Sequence, residues 1–220
     1  MIKAAFFDID GTLISCQSQQ ELSKFMFKKR ALSFASMLKL FFWFTGYKLG
    51  IFRKTVSIRK KMYRILSLKN KNQIDLFIKE TYEKNIYPQR NQIFKSIIQG
   101  LKKRKYIVVG ISGTLQQFCD FIKVEFDMDY AFGTKLCEEK ERYSGRWIGK
   151  ILEGEDKAEF IQKFSKTNNV DLNNSIFYGD SSSDIPSMKL VGKAIAVAPD
   201  IKLERLAKKK GWDIIDAGSF

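Results

Sequence analysis

Histidine is absent from this chain of 220 residues. Its absence excludes nucleophilic schemes that need a histidine base, such as a Ser-His-Asp triad, and it excludes histidine-ligated zinc. Cysteine is scarce, and the spacing of Cys16, Cys119 and Cys137 matches no paired motif. We therefore expect ordinary thiols in a reducing compartment, and a chemistry that other residue types carry out.

Acidic residues are outnumbered, with 24 Asp and Glu against 39 Lys and Arg, for a net charge of +15. Most of this excess lies between residues 21 and 71, where fourteen Lys and Arg accompany a single acid, Glu21. The simplest interpretation is a set of solvated helix faces. A one-sided charge also acts on binding partners, so an anionic partner is the alternative.

The chain has no uninterrupted apolar run long enough for a membrane span, which needs about 20 residues with few charges. Residues 31–52 are rich in aromatic and aliphatic side chains, but two lysines and two glycines interrupt them: Lys39, Lys48, Gly46 and Gly50. Two interpretations remain open for this stretch. It forms a local core that lines an apolar substrate pocket, or it is an interfacial amphipathic element flanked by basic residues.

The motif Asp8-Ile9-Asp10-Gly11-Thr12 follows directly on the apolar residues 2–7. Such a run predicts a buried strand of a parallel sheet, and ligands of open α/β sheets bind at the carboxyl ends of the strands. Carboxylates at that edge need a cationic partner, for which Mg²⁺ is suited, and an Asp there can also attack phosphorus. Taken alone, the motif is equally compatible with a turn that carries solvated carboxylates.

Three further segments place polar groups at a strand end or a helix start. Residues 107–111 form a second predicted strand, followed by Ser112-Gly113-Thr114. Lys157 begins a helical pattern. Residues 175–178 form a third strand, followed by the segment from Gly179 to Asp184. Each segment supplies a group suited to phosphoryl transfer.

Together these motifs resemble the haloacid dehalogenase-like (HAD) phosphohydrolase superfamily, and within it subfamily IB, the phosphoserine-phosphatase-like branch. All four family motifs occur in order between Asp8 and Asp184. The resemblance implies an α/β fold, with a Rossmann-like core of parallel sheet and a helical cap of the C1 type. We expect the core to comprise residues 1–15 and 88–220, and the cap to comprise residues 16–87.

The resemblance also implies roles for the acidic residues. Asp8 is expected to be the nucleophile, and Asp10 the general acid and base. The two-residue period of a strand places both Asp side chains on the same side. Mg²⁺ is expected to be bound by Asp8, by the backbone carbonyl of Asp10 and by Asp180. Asp184 would hold a metal-bound water or orient Lys157.

Phosphate binding is assigned by the same resemblance to three residues. Ser112 offers a hydroxyl, Gly113 allows close approach of the backbone, and Lys157 neutralises the charge of Asp8 and the phosphoryl oxygens. Taken alone, Ser112 has a helix N-cap as its alternative. Lys157 taken alone would be interpreted as a surface lysine, and only the other motifs give it a role in the site.

The expected activity is that of a Mg²⁺-dependent phosphomonoesterase that forms an aspartyl-phosphate, with a small or amphiphilic substrate such as a phospholipid headgroup. Phosphoserine phosphatases have Ser at the position of Gly11 and a substrate-binding Glu at that of Gln17, and an amide is a poor counter-ion for an ammonium group. The alternatives are a phosphoserine phosphatase proper, a phosphotransferase or mutase that uses Asp8, and a non-enzymatic membrane- or anion-binding module. We expect a cytoplasmic protein with peripheral contact to the inner face of the membrane through its basic cap, and no nucleic-acid partner.

The basic segment predicts binding to anionic vesicles at low salt, since each basic residue near such a surface contributes about 1 kcal/mol. Binding should weaken as ionic strength rises, because exposed charges are screened beyond about 8–10 Å. Changing Lys28, Lys29 and Arg30 to Glu should lower binding in a vesicle sedimentation assay and leave turnover of p-nitrophenyl phosphate unchanged. An unmodified protein that stays in the supernatant at low salt would contradict the membrane interpretation.

Overall fold

The structure is a computed structural model that describes residues 1–35, 37–38, 42, 62–67 and 70–216. The contacts divide the chain into two compact units. The first comprises Met1–Gln17, Gln89–Thr134 and the described part of Lys150–Phe220. The second comprises the described part of Ser18–Pro88 together with Lys135–Gly149.

The strands are, in chain order, β1 (Lys3–Phe7), β2 (Tyr106–Leu115), β3 (Tyr130–Glu139), β4 (Arg142–Ile148), β5 (Ile176–Gly179), β6 (Lys193–Val197) and β7 (Asp213–Ile215). Six of them form a parallel sheet in the order β3-β2-β1-β5-β6-β7. The second half of β3 pairs antiparallel with β4. The helices with described bounds are α1 (Ser18–Lys28), α2 (Lys71–Thr81), α3 (Ile93–Lys103), α4 (Gln116–Glu125), α5 (Glu155–Thr167), α6 (Ile185–Met188) and α7 (Ile201–Lys210).

The parallel sheet of the first unit is apolar because helices cover both of its faces, as the alternation of strands and helices along the chain requires. On one face, Phe6 and Phe177 are fully buried and pack in a cluster with Ile161 of α5. On the other face, the ring of Phe7 stacks on that of Tyr178 at 4.4 Å, and Phe94 of α3 meets both rings edge-on. The predicted α/β fold with a parallel sheet is thus confirmed.

The second unit combines helices with the hairpin of β3 and β4. The hydroxyl of Tyr143, a buried residue, lies 2.5 Å from a carboxylate oxygen of Asp75 on α2. The ring of Trp147 packs edge-on against that of Tyr63, whose centroid is 5.6 Å away. The expected core domain of residues 88–220 included this hairpin, whereas in the structure the contacts of the hairpin group it with the helical unit.

Most of the described residues of the inserted segment are helical, and α2 begins directly after Asn70. Asn70 is the N-cap of α2, and its side chain accepts a hydrogen bond from the N–H of Asn72 at 2.9 Å. The predicted breaks at Gly46 and Gly50, and most of the apolar stretch 31–52, lie outside the described residues. Within the part of the chain that is described, no helix is long and apolar enough to cross a bilayer.

Candidate active site

The centre of the parallel sheet places three of the predicted site residues at one edge. Strand β1 lies between β2 and β5. Asp8 follows the last residue of β1, Asp180 follows the last residue of β5, and Ser112 lies near the carboxyl end of β2. The chain builds the sheet outward from β1 in both directions, so the strand order changes direction between β1 and β5. Doubly wound folds bind their ligands in the crevice at such a switch point.

The loop after β1 turns sharply, so Asp10 does not continue the strand that leads to Asp8. The N–H of Asp8 still donates to the carbonyl of Tyr178 at 2.9 Å, but the strand ends at Phe7. Gly11 has a φ of 85°, and Asp10 forms an isolated bridge with Ile14. The two-residue strand period that we expected to align Asp8 with Asp10 therefore does not apply, because Asp10 lies in the turn.

Three carboxylates and one lysine form a compact cluster. Asp8, Asp180 and Asp184 each offer an oxygen atom, and these atoms all lie within 4.8 Å of one another. The ammonium nitrogen of Lys157 lies 2.9 Å from Asp8 Oδ1 and 2.6 Å from Asp184 Oδ1. Lys157 is 2% exposed and Asp184 fully buried, so the cluster is largely shielded from solvent. Among the described residues, this cluster comprises the carboxylates of Asp8, Asp180 and Asp184 and does not include that of Asp10.

Lys157 occupies an unusual position for a cation, because it lies in the first turn of α5, where the helix dipole disfavours positive charge. Burial alone would lower the pKa of its ammonium group. The carboxylates of Asp184 and Asp8 outweigh burial, so the pKa of Lys157 is raised and the group stays charged. The ring of Phe177, with its centroid 5.8 Å from the nitrogen, adds a cation–π contact.

The carboxylates are not fully compensated by this single lysine. Burial raises the pKa of Asp180 well above its usual value, and repulsion from Asp8 and Asp184 raises it further. Burial also raises the pKa of Asp184 to about 6, against the opposing effect of Lys157. A divalent cation would relieve both effects. Hard cations prefer carboxylate oxygens, so this set of oxygen donors fits Mg²⁺.

Ser112 and Gly113 belong to a strand rather than to a loop after it. Strand β2 continues through Leu115, past a register shift in its pairing with β3. Ser112 is 3% exposed, and its hydroxyl oxygen accepts a hydrogen bond from the N–H of Thr114 at 3.2 Å. Because α4 begins only at Gln116, Ser112 is not a helix N-cap.

Two residues that support the site were not singled out from the sequence. The side chain of Asn91 donates to the carbonyl of Thr12 at 2.5 Å, and the hydroxyl of Thr134 donates to the carbonyl of Gly113 at 2.9 Å. Each side chain fixes the backbone of a motif that is 79 or 21 residues away in the sequence. No local pattern marks such a partner, apart from the position of Asn91 shortly after the helical insertion.

A comparison with protein-family models matches residues 5–189 to the haloacid dehalogenase-like hydrolases. The matched range includes all the residues of the cluster described above. The chain belongs to this family. The family resemblance seen in the motifs is confirmed, and the chain is an enzyme of the phosphatase class.

Individual relatives within the HAD-like family are distant but match along nearly the whole chain. Phosphoserine phosphatase SerB1 of Mycobacterium tuberculosis is 25% identical over 218 residues, which cover 97% of this chain and 70% of that protein. Histidinol-phosphatase of Neisseria meningitidis is 25% identical over 229 residues, which cover 98% of this chain and 99% of that protein. A solved structure of a phospho-aspartyl intermediate analogue of phosphoserine phosphatase has a TM-score of 0.74 at 23% identity, over 98% of this chain and 93% of that one.

The cluster predicts that Asp180→Asn has opposite effects with and without a metal ion. Without metal, removal of one repelling charge should raise the free energy of unfolding by on the order of 1 kcal/mol. The parent protein should gain about 2.7 kcal/mol at a Mg²⁺ concentration of 100 times its Kd, and the variant should lose most of this gain.

The measurement is urea unfolding in chelator and in Mg²⁺. Asp213→Asn is the matched control, because Asp213 forms an exposed ion pair with Lys193 at 2.7 Å and should keep the full response to Mg²⁺. Equal stabilisation of Asp180→Asn and the parent protein by Mg²⁺ would remove Asp180 from the set of metal ligands.

Proposed function

We propose that this protein is a Mg²⁺-dependent phosphomonoesterase in which Asp8 forms an aspartyl-phosphate. The observation that carries the proposal is the buried cluster of Asp8, Lys157, Asp180 and Asp184 at the switch point of the sheet. A nucleophilic carboxylate must be held beside positive charge, because the phosphoryl group brings further negative charge to it. Lys157 meets this need, and the three carboxylates supply ligands for a cation.

The reaction divides into two displacements at phosphorus. In the first, an oxygen of Asp8 bonds to phosphorus while the ester P–O bond breaks, and Asp10 gives a proton to the leaving alkoxide. In the second, Asp10 takes a proton from a water whose oxygen attacks phosphorus. The bond from phosphorus to Asp8 then breaks, so inorganic phosphate leaves and the free carboxylate is restored.

The remaining residues hold and neutralise the phosphoryl group. The carboxylates of Asp8 and Asp180 and the carbonyl of Asp10 would hold Mg²⁺, with Asp184 acting through water or through Lys157. The ion, when bound, offsets the charge of the phosphoryl oxygens. Ser112 offers its hydroxyl and Gly113 its backbone N–H to those oxygens, and Lys157 keeps the nucleophile oriented by its contact with Asp8.

The substrate class we propose is a small or amphiphilic phosphate monoester other than free phosphoserine. The names of the relatives point to phosphoserine and histidinol phosphate, two small monoesters that carry an amine. Gln17 is exposed and has an uncharged amide, which is a poor counter-ion for an ammonium group. The basic segment between residues 21 and 71 favours an anionic or lipid-linked substrate.

We expect Asp8→Asn to abolish turnover, because an amide cannot attack phosphorus. Residual activity should fall below about 1% of the parent value, a loss of two or more powers of ten. The assay is steady-state hydrolysis of p-nitrophenyl phosphate with Mg²⁺, with circular dichroism to verify the fold. As a second readout, beryllofluoride should raise the melting temperature of the parent protein and not that of the variant. Activity above a few per cent in the variant would refute the assignment of Asp8.

A panel of phosphate monoesters tests the substrate proposal. L-phosphoserine should be a poor substrate of the parent protein, and Gln17→Glu should raise its kcat/KM by about tenfold, as expected for one new ion pair of about 1.4 kcal/mol. Gln17→Ala is the control, since it removes the amide without adding a charge. If L-phosphoserine is the best substrate of the parent protein, the proposal that Gln17 selects against it is wrong, whereas the phosphatase mechanism stands.

A further inference from the structure

The segment from Gly179 to Asp184 carries two of the three clustered carboxylates on a short turn. Residues Ser182–Asp184 form a single 3-10 turn, in which the N–H of Asp184 donates to the carbonyl of Ser181 at 2.9 Å. The contact from the N–H of Ser181 back to Asp184 Oδ2 is long, at 3.4 Å. The hydroxyl of Ser181 also lies 2.8 Å from Ser183 Oγ and 3.4 Å from Asp184 Oδ2, so these internal contacts join Ser181, Ser183 and Asp184. Asp180 precedes these residues, so a contact from outside the turn is suited to hold it at a fixed separation from Asp184.

Asp200, which lies outside this turn and after β6, supplies such contacts. Its carboxylate oxygen Oδ2 accepts a hydrogen bond from the N–H of Ser182 at 2.7 Å. Its own N–H donates to the carbonyl of Asp180 at 2.9 Å. Asp200 thus holds the backbone of one clustered residue directly, and it holds the turn between that residue and Asp184.

The second carboxylate oxygen of Asp200 has a separate partner. Oδ1 accepts from the N–H of Leu203 at 2.8 Å, so Asp200 is also the N-cap of α7. An ionised carboxylate can serve both N–H groups at once, because each oxygen accepts independently. A serine at this position could cap the helix, but its single short hydroxyl could not also reach the turn.

We propose that Asp200 is a positioning residue for the metal site: by fixing the turn of Asp180 and Asp184 it sets the affinity for Mg²⁺. This inference rests on the proposed function, since it takes the cluster to be a Mg²⁺ site. Asp200 acts through the backbone and is not itself a member of the carboxylate cluster. Partners outside the ligand set of a metal typically change its affinity by about 10–100-fold when they are removed.

The experiment separates this role from helix capping by comparing Asp200→Ala with Asp200→Ser. The Ala variant removes both hydrogen bonds of the carboxylate and keeps the backbone hydrogen bond to Asp180, and the Ser variant restores the cap of α7. Mg²⁺ affinity is measured without substrate, by calorimetric titration and by the Mg²⁺ dependence of the melting temperature. Stability in chelator is measured by urea unfolding, and turnover of p-nitrophenyl phosphate at saturating Mg²⁺ is recorded in parallel.

A control comes from a second capping aspartate, in which each carboxylate oxygen also accepts one hydrogen bond. Asp171 caps the turn Leu172–Asn174, with Oδ1 accepting from the N–H of Asn173 at 3.0 Å and Oδ2 accepting from the side chain of Asn174 at 2.8 Å. Neither partner of this carboxylate belongs to the turn of Asp180 and Asp184. Asp171→Ala and Asp171→Ser should change stability and leave Mg²⁺ affinity as in the parent protein.

We expect Asp200→Ala to lose both stability and about tenfold in Mg²⁺ affinity, and Asp200→Ser to recover stability but not affinity. A parent-like affinity in Asp200→Ala, or an affinity that returns together with stability in Asp200→Ser, would overturn the inference and leave a helix cap alone. A parent protein that binds no Mg²⁺ would instead overturn the proposed metal site itself. The two failures are therefore distinguishable.

Discussion

The buried contact of Lys157 with Asp8 and Asp184 is the constraint on which the rest of the site depends. It joins the loop after β1, the first turn of α5 and the turn after β5, three segments that lie far apart in the sequence. A buried ion pair gives little net stability, but the loss of one partner typically costs about 3–5 kcal/mol because a charge is left unpaired. Its main effect is therefore to specify where these segments meet.

The topology of the sheet already places these segments close together, independently of the contacts between their side chains. Strands β1 and β5 are neighbours although about 170 residues separate them, and their carboxyl ends lie at the same edge. Burial of the charged side chains at this edge raises the pKa values of Asp180 and Asp184, and repulsion from Asp8 adds to the effect. The arrangement thus lowers the stability of the metal-free protein, and it creates a site that attracts a cation.

Sequence reasoning succeeded where a local pattern carries the information. Apolar runs predicted β1, β2 and β5, and the motif residues after them led to the family that the comparison then showed. It extended the strand period to Asp10, whereas β1 ends at Phe7 and Gly11 has the positive φ of a turn. It also ended β2 too soon, since the pairing of Leu115 with Thr134 continues the strand beyond its apolar part.

Contacts between distant segments account for the remaining differences. Nothing near Tyr143 or Trp147 in the sequence reveals that their partners, Asp75 and Tyr63, precede them by more than sixty residues. The two contacts of the Asp200 carboxylate could not be predicted either. In the sequence, an Asp before a helix indicates an N-cap, and only the structure shows that the second oxygen accepts from the N–H of Ser182. Such features require the fold to be known.

Strand β3 belongs to both units, since it pairs with β2 in its first half and with β4 in its second. The chain therefore passes between the units four times, at residues 17–18, 88–89, 134–135 and 149–150. The second unit of this chain is therefore not one continuous segment that could be exchanged as a single piece. A replacement of residues 18–88 alone would remove the partners against which Tyr143 and Trp147 of the hairpin pack. The hairpin and the helices must therefore be replaced together. Recombination of this enzyme with its relatives should respect that linkage, and chimaeras should carry both segments from the same parent.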